Sequence, residues 1–183
     1  LRLQGITDSR VLRAKLDLVP REDFVAAAML DRAYENVTLP IGMGQTISQP
    51  FVVALMTQLL EPGEGKRILE IGTGCGYQAA ILSHLFGQVH SIERHKDLAE
   101  TARQRLDRLG VGNVSVHLGD GFLGSHSHSA RGSTHYLRCH RSPRRVSLLI
   151  SHTPRHPAPS HNRHTHITRI TDACHACTHT TPA

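Results

Sequence analysis

The segment ILEIGTGCGYQAA, residues 68–80, limits the possible folds more than any other part of this chain. It places Gly72, Gly74 and Gly76 between an apolar run typical of a buried strand and a run typical of a helix. Glycines in such a loop let the backbone approach a ligand, and the helix N-terminus offers unpaired N–H groups. A dinucleotide site favours G-x-G-x-x-G, but Tyr77 stands where the third glycine belongs. The loop predicts a ligand site of another kind.

Strand and helix patterns alternate from this loop onward. Residues 67–71, 88–93 and 113–118 read as strands. The intervening helices are expected to end at Gly87 and Gly110, the second with an apolar face of Leu98, Ala102, Leu106 and Leu109. This β-α-β-α-β order predicts an α/β fold with a parallel sheet and right-handed crossovers.

The first 60 residues have a different pattern and are expected to form a separate helical and loop region. A helix is predicted from an N-cap at Thr7 or Asp8 to Pro20, and a short one at 24–30. Residues 36–50 are rich in Gly and Pro and are predicted to be a loop. Pro50 suits the first position of an apolar helix.

An acid ends the second predicted strand. Glu93 lies where a carboxylate can accept hydrogen bonds from both ribose hydroxyls of a nucleoside ligand. The alternative is that it caps the next helix. The glycine loop upstream favours ribose binding. Gly-Asp-Gly at 119–121 then follows the third strand and brings a second acid to the same cleft.

Two longer motifs carry a family resemblance. Residues 35–60, ENVTLPIGMGQTISQPFVVALMTQLL, together with ILEIGTGCGYQAA, resemble the N-terminal half of the protein-L-isoaspartate O-methyltransferases. These are class I S-adenosylmethionine-dependent enzymes that repair aged Asp and Asn sites in proteins. The glycine loop indicates only a class I methyltransferase, whereas LPIGMGQTISQP selects this family. The resemblance covers about residues 1–124 and implies a Rossmann-like class I methyltransferase fold, with residues 61–124 as its cofactor-binding half.

The resemblance also implies roles for individual residues. Ser48 matches the serine that the family uses at its active site. Those matching the S-adenosylmethionine site are Glu70, Gly72, Gly74 and Gly76 at the methionine part, Glu93 at the ribose, and Asp120 and Gly121 at the adenine. Cys75 stands where the family often has Ser. We interpret it as a small loop residue rather than a catalytic thiol, because nothing nearby activates it.

The implied chemistry needs no general base. The substrate nucleophile is the free α-carboxylate of an isoaspartyl residue, which has a pKa of about 4 and is already ionised near neutrality. Catalysis then consists of aligning the reacting groups and excluding water. Ser48 lies two residues before Pro50, where its hydroxyl could orient the carboxylate; the alternative is a helix-capping serine.

The composition changes after Gly124. Residues 1–124 carry a net charge of −1, whereas residues 125–183 hold eight Arg, no Lys and one acid, for a net of +7. Only 7 of these 59 residues are Val, Ile, Leu or Phe, which is below the roughly 20% typical of chains that fold. The tail is therefore predicted to be largely disordered, and its one strand-like run is VSLLI at 146–150.

The tail also lacks the motifs with which the family continues, D-x-I-x-V-T-A-A and P-G-G. We expect the fold to be truncated after about three parallel strands. Loss of acids and lysines with a gain of His, Arg, Ser and Thr is typical of a GC-rich coding sequence read out of frame, so we interpret the tail as a frameshift product. Because the missing half supplies one wall of the family's active site, we expect weak cofactor binding and little or no methylation.

A noncatalytic alternative rests on the tail. Eleven of the fifteen histidines lie there, and Cys174 and Cys177 in CHACTH have the spacing of metal ligands. The scattered histidines favour no particular ligand set, so no metal site is predicted. The positive charge could attract polyanions, but Tyr136 is the tail's only aromatic residue, so no specific nucleic-acid binding is expected.

The remaining sequence features concern cellular location and binding partners. The four cysteines and the N-terminus LRLQGITDSR indicate neither a disulfide framework nor a secretory leader, and this sequence is expected to begin inside the reading frame. No apolar run reaches the 18 residues or so of a membrane span. We expect a cytoplasmic monomer whose partners are isoaspartyl-containing proteins and peptides.

Overall fold

The N-terminal region forms short helical segments. The computed structural model describes residues 1–121 in full and the backbone of Thr134–Ser142 and Arg145–Leu148. Helix α1, Ser9–Arg13, begins after Asp8, whose side chain accepts a hydrogen bond from the Arg10 N–H. This confirms the predicted N-cap. A π-helical turn at Ala14–Leu18 continues α1 and ends before Pro20, and 3₁₀ turns follow at Arg21–Phe24 and Ala27–Arg32.

A β-hairpin occupies the segment predicted to be a loop. Strands β1, Leu39–Gly42, and β2, Gln45–Ile47, pair antiparallel, so the prediction of a loop over residues 36–50 is wrong there. The turn between them contains Gly42, Met43 and Gly44, all with positive φ. The glycines indicated the turn correctly, but strands this short leave no clear alternation in the sequence.

The rest of the described chain is a parallel α/β unit, as predicted. In chain order its elements are α2 (Pro50–Leu59), β3 (Gly63–Ile71), α3 (Tyr77–Ser83), β4 (Phe86–Glu93), α4 (Lys96–Arg108) and β5 (Val114–Leu118). Strand β4 lies between β3 and β5 and is parallel to both. The carboxyl ends of the three strands therefore meet at one edge, where ligands bind in sheets of this type.

Two details of this unit differ from the sequence prediction. Gly87 lies inside β4 rather than at the end of α3; a Cβ there would stand 2.2 Å from the Glu64 carbonyl oxygen, so the close approach of β3 requires a glycine. Leu109 is 40% exposed. The buried face of α4 is Leu98, Ala99, Ala102 and Leu106.

The sheet continues past the three predicted strands. Strand β6, Thr134–Ser142, pairs parallel with β3, and β7, Arg145–Leu148, pairs antiparallel with β6. These two segments lie in the tail that is predicted to be largely disordered, and β7 overlaps the strand-like run at 146–150. The prediction for the tail as a whole stays a prediction. A strand edge offers unpaired N–H and C=O groups that any extended segment can bond, whatever its composition. The remaining tail residues lie outside the described part.

One cluster of buried apolar residues includes side chains of β3, β4 and α3. Ile68 and Val89 are paired across β3 and β4 and are both fully buried, in one cluster with Ile81 and Leu82 of α3. Glu70 and Ser91, two residues further along the same strands, lie on the same face of the sheet as Ile68 and Val89. The core thus ends in polar residues directly beneath the loop that follows β3. In the described residues, no helix is long and apolar enough to cross a membrane.

Candidate active site

The loop between β3 and α3 depends on its three glycines. Gly72, Gly74 and Gly76 have φ values of 98°, 55° and 91°, which are left-handed conformations that favour glycine. The Gly72 N–H donates to the Ile92 carbonyl at 2.8 Å, so the loop turns back over the end of β4. A Cβ at Gly74 would stand 3.1 Å from the Ile41 side chain. The glycine loop, residues 72–76, therefore lies directly against the hairpin.

Glu93 ends β4 beneath this loop and is almost fully buried, with 5% exposure. Its Oε2 accepts the Gly74 N–H at 2.9 Å, and its Oε1 accepts the N–H groups of Arg94 and His95 at 2.9 and 3.0 Å. A carboxylate has about four acceptor positions. One position therefore remains on Oε2 for a ligand hydroxyl; bonding two hydroxyls would require a backbone N–H to move.

Glu70 lies deeper and supports the loop from below. It is fully buried and accepts a hydrogen bond from the Ser91 hydroxyl, which in turn bonds the Thr73 hydroxyl at 2.6 Å. Burial, which disfavours the charged form, raises the pKa of Glu70 to about 8, and the neighbouring Glu93 acts in the same direction. Glu70 thus contacts the cleft only through Thr73, which lines it.

An open cleft with a volume of about 60 Å³ lies between the hairpin and the glycine loop, beside the contact of Gly74 with Ile41. It brings together Ser48, Gly72 and Gly74 of the predicted site residues, with Glu93 bonded to Gly74 directly behind. The complete lining is Ile41, Thr46, Ile47, Ser48, Val53, Gly72, Thr73, Gly74, Cys75, Tyr77 and Gln78. The motif predicted for substrate and the motif predicted for cofactor therefore form opposite sides of one cleft.

Ser48 follows β2 and precedes α2. The N-cap of α2 is Gln49, so Ser48 is not the helix-capping residue that the alternative interpretation required. The start of α2 offers an anion fewer backbone N–H donors than the sequence predicts. Pro50 has no N–H, and the Phe51 N–H already donates to Asn36 Oδ1 at 3.0 Å. Ser48 itself lines the cleft, so its hydroxyl stays the predicted donor on this side.

Asp120 and Gly121 follow β5 at the same edge. The Gly119 N–H donates to the Glu93 carbonyl at 2.9 Å, which holds this turn beside the end of β4. Asp120 is exposed, and neither it nor Gly121 lines the cleft described above. A Cβ at Gly121 would stand 2.4 Å from Ile71 Cγ2, so a glycine lets the turn pack closely on β3.

Two arginines that the sequence analysis did not predict donate hydrogen bonds to the backbone segments on either side of the cleft. The guanidinium of Arg21, which is fully buried, donates to the carbonyls of Ala33, Val37 and Ser48. Arg105 of α4 donates to the Cys75 carbonyl at 2.6 Å. No motif marks either residue, because a single arginine among charged neighbours reads as a surface side chain.

The structure also bears on the reactivity of Cys75 and on metal binding. Burial raises the pKa of the Cys75 thiol to about 11, which fits its interpretation as an unreactive loop residue. Residues 1–121 contain no group of three or more side chains that could hold a metal ion. The CHACTH segment, 174–179, lies outside the described residues.

Comparisons with known proteins agree with this geometry. The family model for protein-L-isoaspartate(D-aspartate) O-methyltransferase matches residues 1–134. The protein-L-isoaspartate O-methyltransferase of Yersinia enterocolitica is 57% identical over 124 residues, which cover 68% of this chain and 59% of that protein. A Yersinia pestis relative of the same name is 56% identical over the same length. The chain thus spans 59% of the length of these relatives.

Solved structures give the same result for the fold. A protein-L-isoaspartate O-methyltransferase superposes with a TM-score of 0.67 at 26% identity, covering 84% of this chain and 57% of that one. A Plasmodium falciparum protein described as a putative member, in complex with S-adenosyl-L-homocysteine, has a TM-score of 0.58 at 17% identity over 84% of this chain and 86% of its own. The fold is therefore the Rossmann-like class I methyltransferase fold, and the chain belongs to the protein-L-isoaspartate(D-aspartate) O-methyltransferase family.

Proposed function

We propose that this chain is a methyltransferase that uses S-adenosylmethionine to esterify the free α-carboxylate of L-isoaspartyl residues in damaged proteins. The observation that carries this proposal is the shared cleft, which places Ser48 opposite the glycine loop and Glu93 behind it. Family membership and relatives of that name support it.

The residues present fit the cofactor. A Cβ built at Gly72 meets no atom within 4 Å, so open space lies above the loop where a ligand backbone could pass. We propose that Gly72 and Gly74 border the methionine part, that Glu93 accepts a ribose hydroxyl at Oε2, and that Asp120 and Gly121 lie nearest the adenine. Glu70 would act through Thr73. When bound, S-adenosylmethionine supplies a methyl group on a sulfonium, a good leaving group.

The protein's own contribution would be positioning. The isoaspartyl carboxylate is already ionised near neutrality, so no side chain has to remove a proton. We propose that the Ser48 hydroxyl donates a hydrogen bond to one carboxylate oxygen and leaves the other free to attack. The hairpin on one side and the glycine loop on the other limit how the carboxylate can be oriented.

A labelled-methyl transfer assay on an isoaspartyl peptide and its aspartyl twin tests this proposal. The matched control is a frame-corrected version of the chain, in which Gly124 is followed by the amino-acid sequence with which the family normally continues. We expect selective labelling of the isoaspartyl peptide, with the chain as written far slower than the control. Equal labelling of the two peptides, or none by either protein, would overturn the function; robust turnover by the chain as written would overturn only the expectation of weak activity.

The frameshift has its own test in the coding DNA. If neither alternative frame downstream of Gly124 encodes D-x-I-x-V-T-A-A and P-G-G motifs, the interpretation is wrong. The noncatalytic alternative, in which the tail binds metal or polyanions, concerns residues outside the described part and stays a prediction, as do the monomeric state and the cytoplasmic location.

A further inference from the structure

Four side chains form a continuous path between the two sides of the cleft; three of them are buried and the fourth, Arg105, is half-buried. We define Arg21, Phe24, Tyr77 and Arg105 as the arginine–aromatic bridge. Arg21 and Phe24 belong to the N-terminal region, Tyr77 is the first residue of α3, and Arg105 lies in α4. Residues from three separate parts of the chain thus meet at one point.

One end of the bridge holds the Ser48 segment. Arg21 Nη2 donates to the Ser48 carbonyl at 2.9 Å and to the Val37 carbonyl at 3.1 Å, while Nη1 donates to the Ala33 carbonyl. These bonds fix the backbone on both sides of the hairpin. Since Arg21 is fully buried, solvent does not replace the bonds when they break.

The other end holds the glycine loop. Arg105 Nη1 donates to the Cys75 carbonyl at 2.6 Å, between Gly74 and Gly76. That carbonyl orientation belongs to the left-handed turn that the two glycines form. Moving the glycine loop therefore strains the Arg105 contact.

The two ends are joined through aromatic rings. The Arg21 guanidinium carbon lies 6.0 Å from the Tyr77 ring centroid, Tyr77 and Phe24 have centroids 5.2 Å apart at 59°, and Arg105 lies 5.5 Å from the Phe24 centroid. Tilted aromatic pairs and cations near rings are attractive at these distances. The Tyr77 hydroxyl is buried and has no hydrogen-bond partner among the described residues, so the ring makes the contacts.

We propose that the arginine–aromatic bridge couples the glycine loop to the Ser48 segment, so that a ligand on the glycine loop also orders Ser48. Its members act as positioning residues. The proposal rests on the proposed function, in which the glycine loop binds the cofactor and Ser48 binds the substrate. Close-packed interiors transmit small displacements, because their side chains have no free volume in which to absorb them. A methyltransferase would thereby align its substrate side only when the cofactor is bound.

Hydrogen–deuterium exchange tests the coupling, with residues 39–49 and 72–76 followed separately. Arg105→Lys weakens the contact with Cys75; Arg103→Lys is the matched control, because Arg103 also lies on α4 and donates to a backbone carbonyl, that of Val116 in β5. We expect Arg105→Lys to speed exchange about threefold to thirtyfold in residues 39–49, although Arg105 does not bond that segment. An effect confined to 72–76, or an equal effect of Arg103→Lys, would overturn the proposal.

Tyr77 provides a second pair of variants. Tyr77→Phe keeps the ring and removes only the unpartnered hydroxyl, so it should leave exchange in residues 39–49 unchanged. Tyr77→Leu removes the ring and should speed exchange there. Far-UV circular dichroism establishes whether each variant folds. If Tyr77→Leu does not fold, Arg105→Lys and Tyr77→Phe still decide the test.

The same measurement with S-adenosyl-L-homocysteine added separates the coupling from the function. In the unaltered chain we expect the compound to slow exchange in both segments, and in Arg105→Lys only in residues 72–76. Absence of any protection at 72–76 in both the chain as written and its frame-corrected version would count against the proposed function, whereas the ligand-free comparison of Arg105→Lys with Arg103→Lys would still decide the coupling. Protection of 72–76 without 39–49 in the unaltered chain would overturn the coupling itself.

Discussion

The Oε2 atom of Glu93 accepts the backbone N–H of Gly74 at 2.9 Å. This bond joins two features that are nineteen residues apart in sequence, the acid at the end of β4 and the middle of the glycine loop. The side chain predicted to bind ribose therefore also fixes the shape of the loop predicted to border the cofactor. Changes at Glu93 should alter stability and binding together.

Glu93→Gln should destabilise the fold and weaken cofactor binding. The carboxylate accepts three backbone N–H groups, and the isosteric amide would turn its NH₂ group toward at least one of them. We expect the free energy of unfolding to fall by about 2 kcal/mol, the cost of a buried unsatisfied donor. Urea denaturation and calorimetry with S-adenosylmethionine measure the two effects.

The matched control is Glu100→Gln, on the exposed side of α4, where Glu100 pairs with Lys96 at 3.7 Å. A surface pair of this kind contributes about 0.5 kcal/mol or less. Equal losses in the two variants would contradict the role assigned to Glu93.

Glu70 should make stability depend on pH. Its pKa is raised by burial to about 8, so between about pH 4.5 and 8 the folded protein holds a proton that the unfolded chain has released. Stability from this group is therefore complete below pH 4.5 and is lost as the pH rises through 8, by up to about 1.4 kcal/mol per pH unit.

Glu70→Gln keeps an oxygen acceptor for the Ser91 hydroxyl but cannot ionise. We expect the difference in unfolding free energy between this variant and the unaltered chain to grow in favour of the variant from pH 5 to pH 8. Urea denaturation at each pH measures it, and all other titrating groups cancel in the comparison. Parallel stability curves would show that Glu70 is ionised in the folded protein.

Ser48→Ala should lower methyl transfer without affecting the fold. Removing the hydroxyl removes one donor that would orient the isoaspartyl carboxylate, and misplaced reacting groups cost up to about 100-fold in rate. We expect kcat/KM for an isoaspartyl peptide to fall by about 10-fold to 100-fold in the frame-corrected version, with the melting temperature unchanged.

Ser83→Ala serves as the control, because the Ser83 hydroxyl donates to the Ala80 carbonyl within α3, away from the cleft. It should leave both quantities unchanged. If Ser48→Ala retained full kcat/KM, the active-site role implied by the family resemblance would be wrong for this chain.

Gly121→Ala should disturb the turn after β5. The added Cβ would stand 2.4 Å from Ile71 Cγ2, so either the turn or the end of β3 must move. Overpacking of this kind costs about 1–3 kcal/mol. We expect a lower melting temperature and weaker S-adenosylmethionine binding.

Two variants check the cause of that loss. At Gly112 an added Cβ meets no atom within 4 Å, so Gly112→Ala should change stability little. Combining Gly121→Ala with Ile71→Ala removes the clashing methyl group, so the double variant should lose less than the sum of the two single losses. If the stability losses of the two single variants simply added in the double variant, the loss caused by Gly121→Ala would not come from its contact with Ile71.

Much of the parallel α/β unit could be predicted from local pattern. The glycine loop, the alternation around it and the stop at Gly110 each depend on a few adjacent residues, and the strands and helices lie close to the predicted ranges. The hairpin at Leu39–Ile47 could not be found in this way, since strands of four and three residues carry too little periodicity. Strand β6 could not either, because main-chain pairing does not require the apolar composition on which the prediction relied; β7 overlaps the strand-like run at 146–150.

The sequence by itself determined the family, the order of the elements from β3 to β5 and the residue types at the cleft, because motifs such as LPIGMGQTISQP are read from neighbouring residues. Only the tertiary structure decided how these residues are connected. Arg21 reaches the carbonyl of Ser48, and Arg105 reaches that of Cys75, across 27 and 30 positions of the chain. A hydrogen bond to a carbonyl can be made to any residue, since every residue has one, and so no sequence pattern marks the partner.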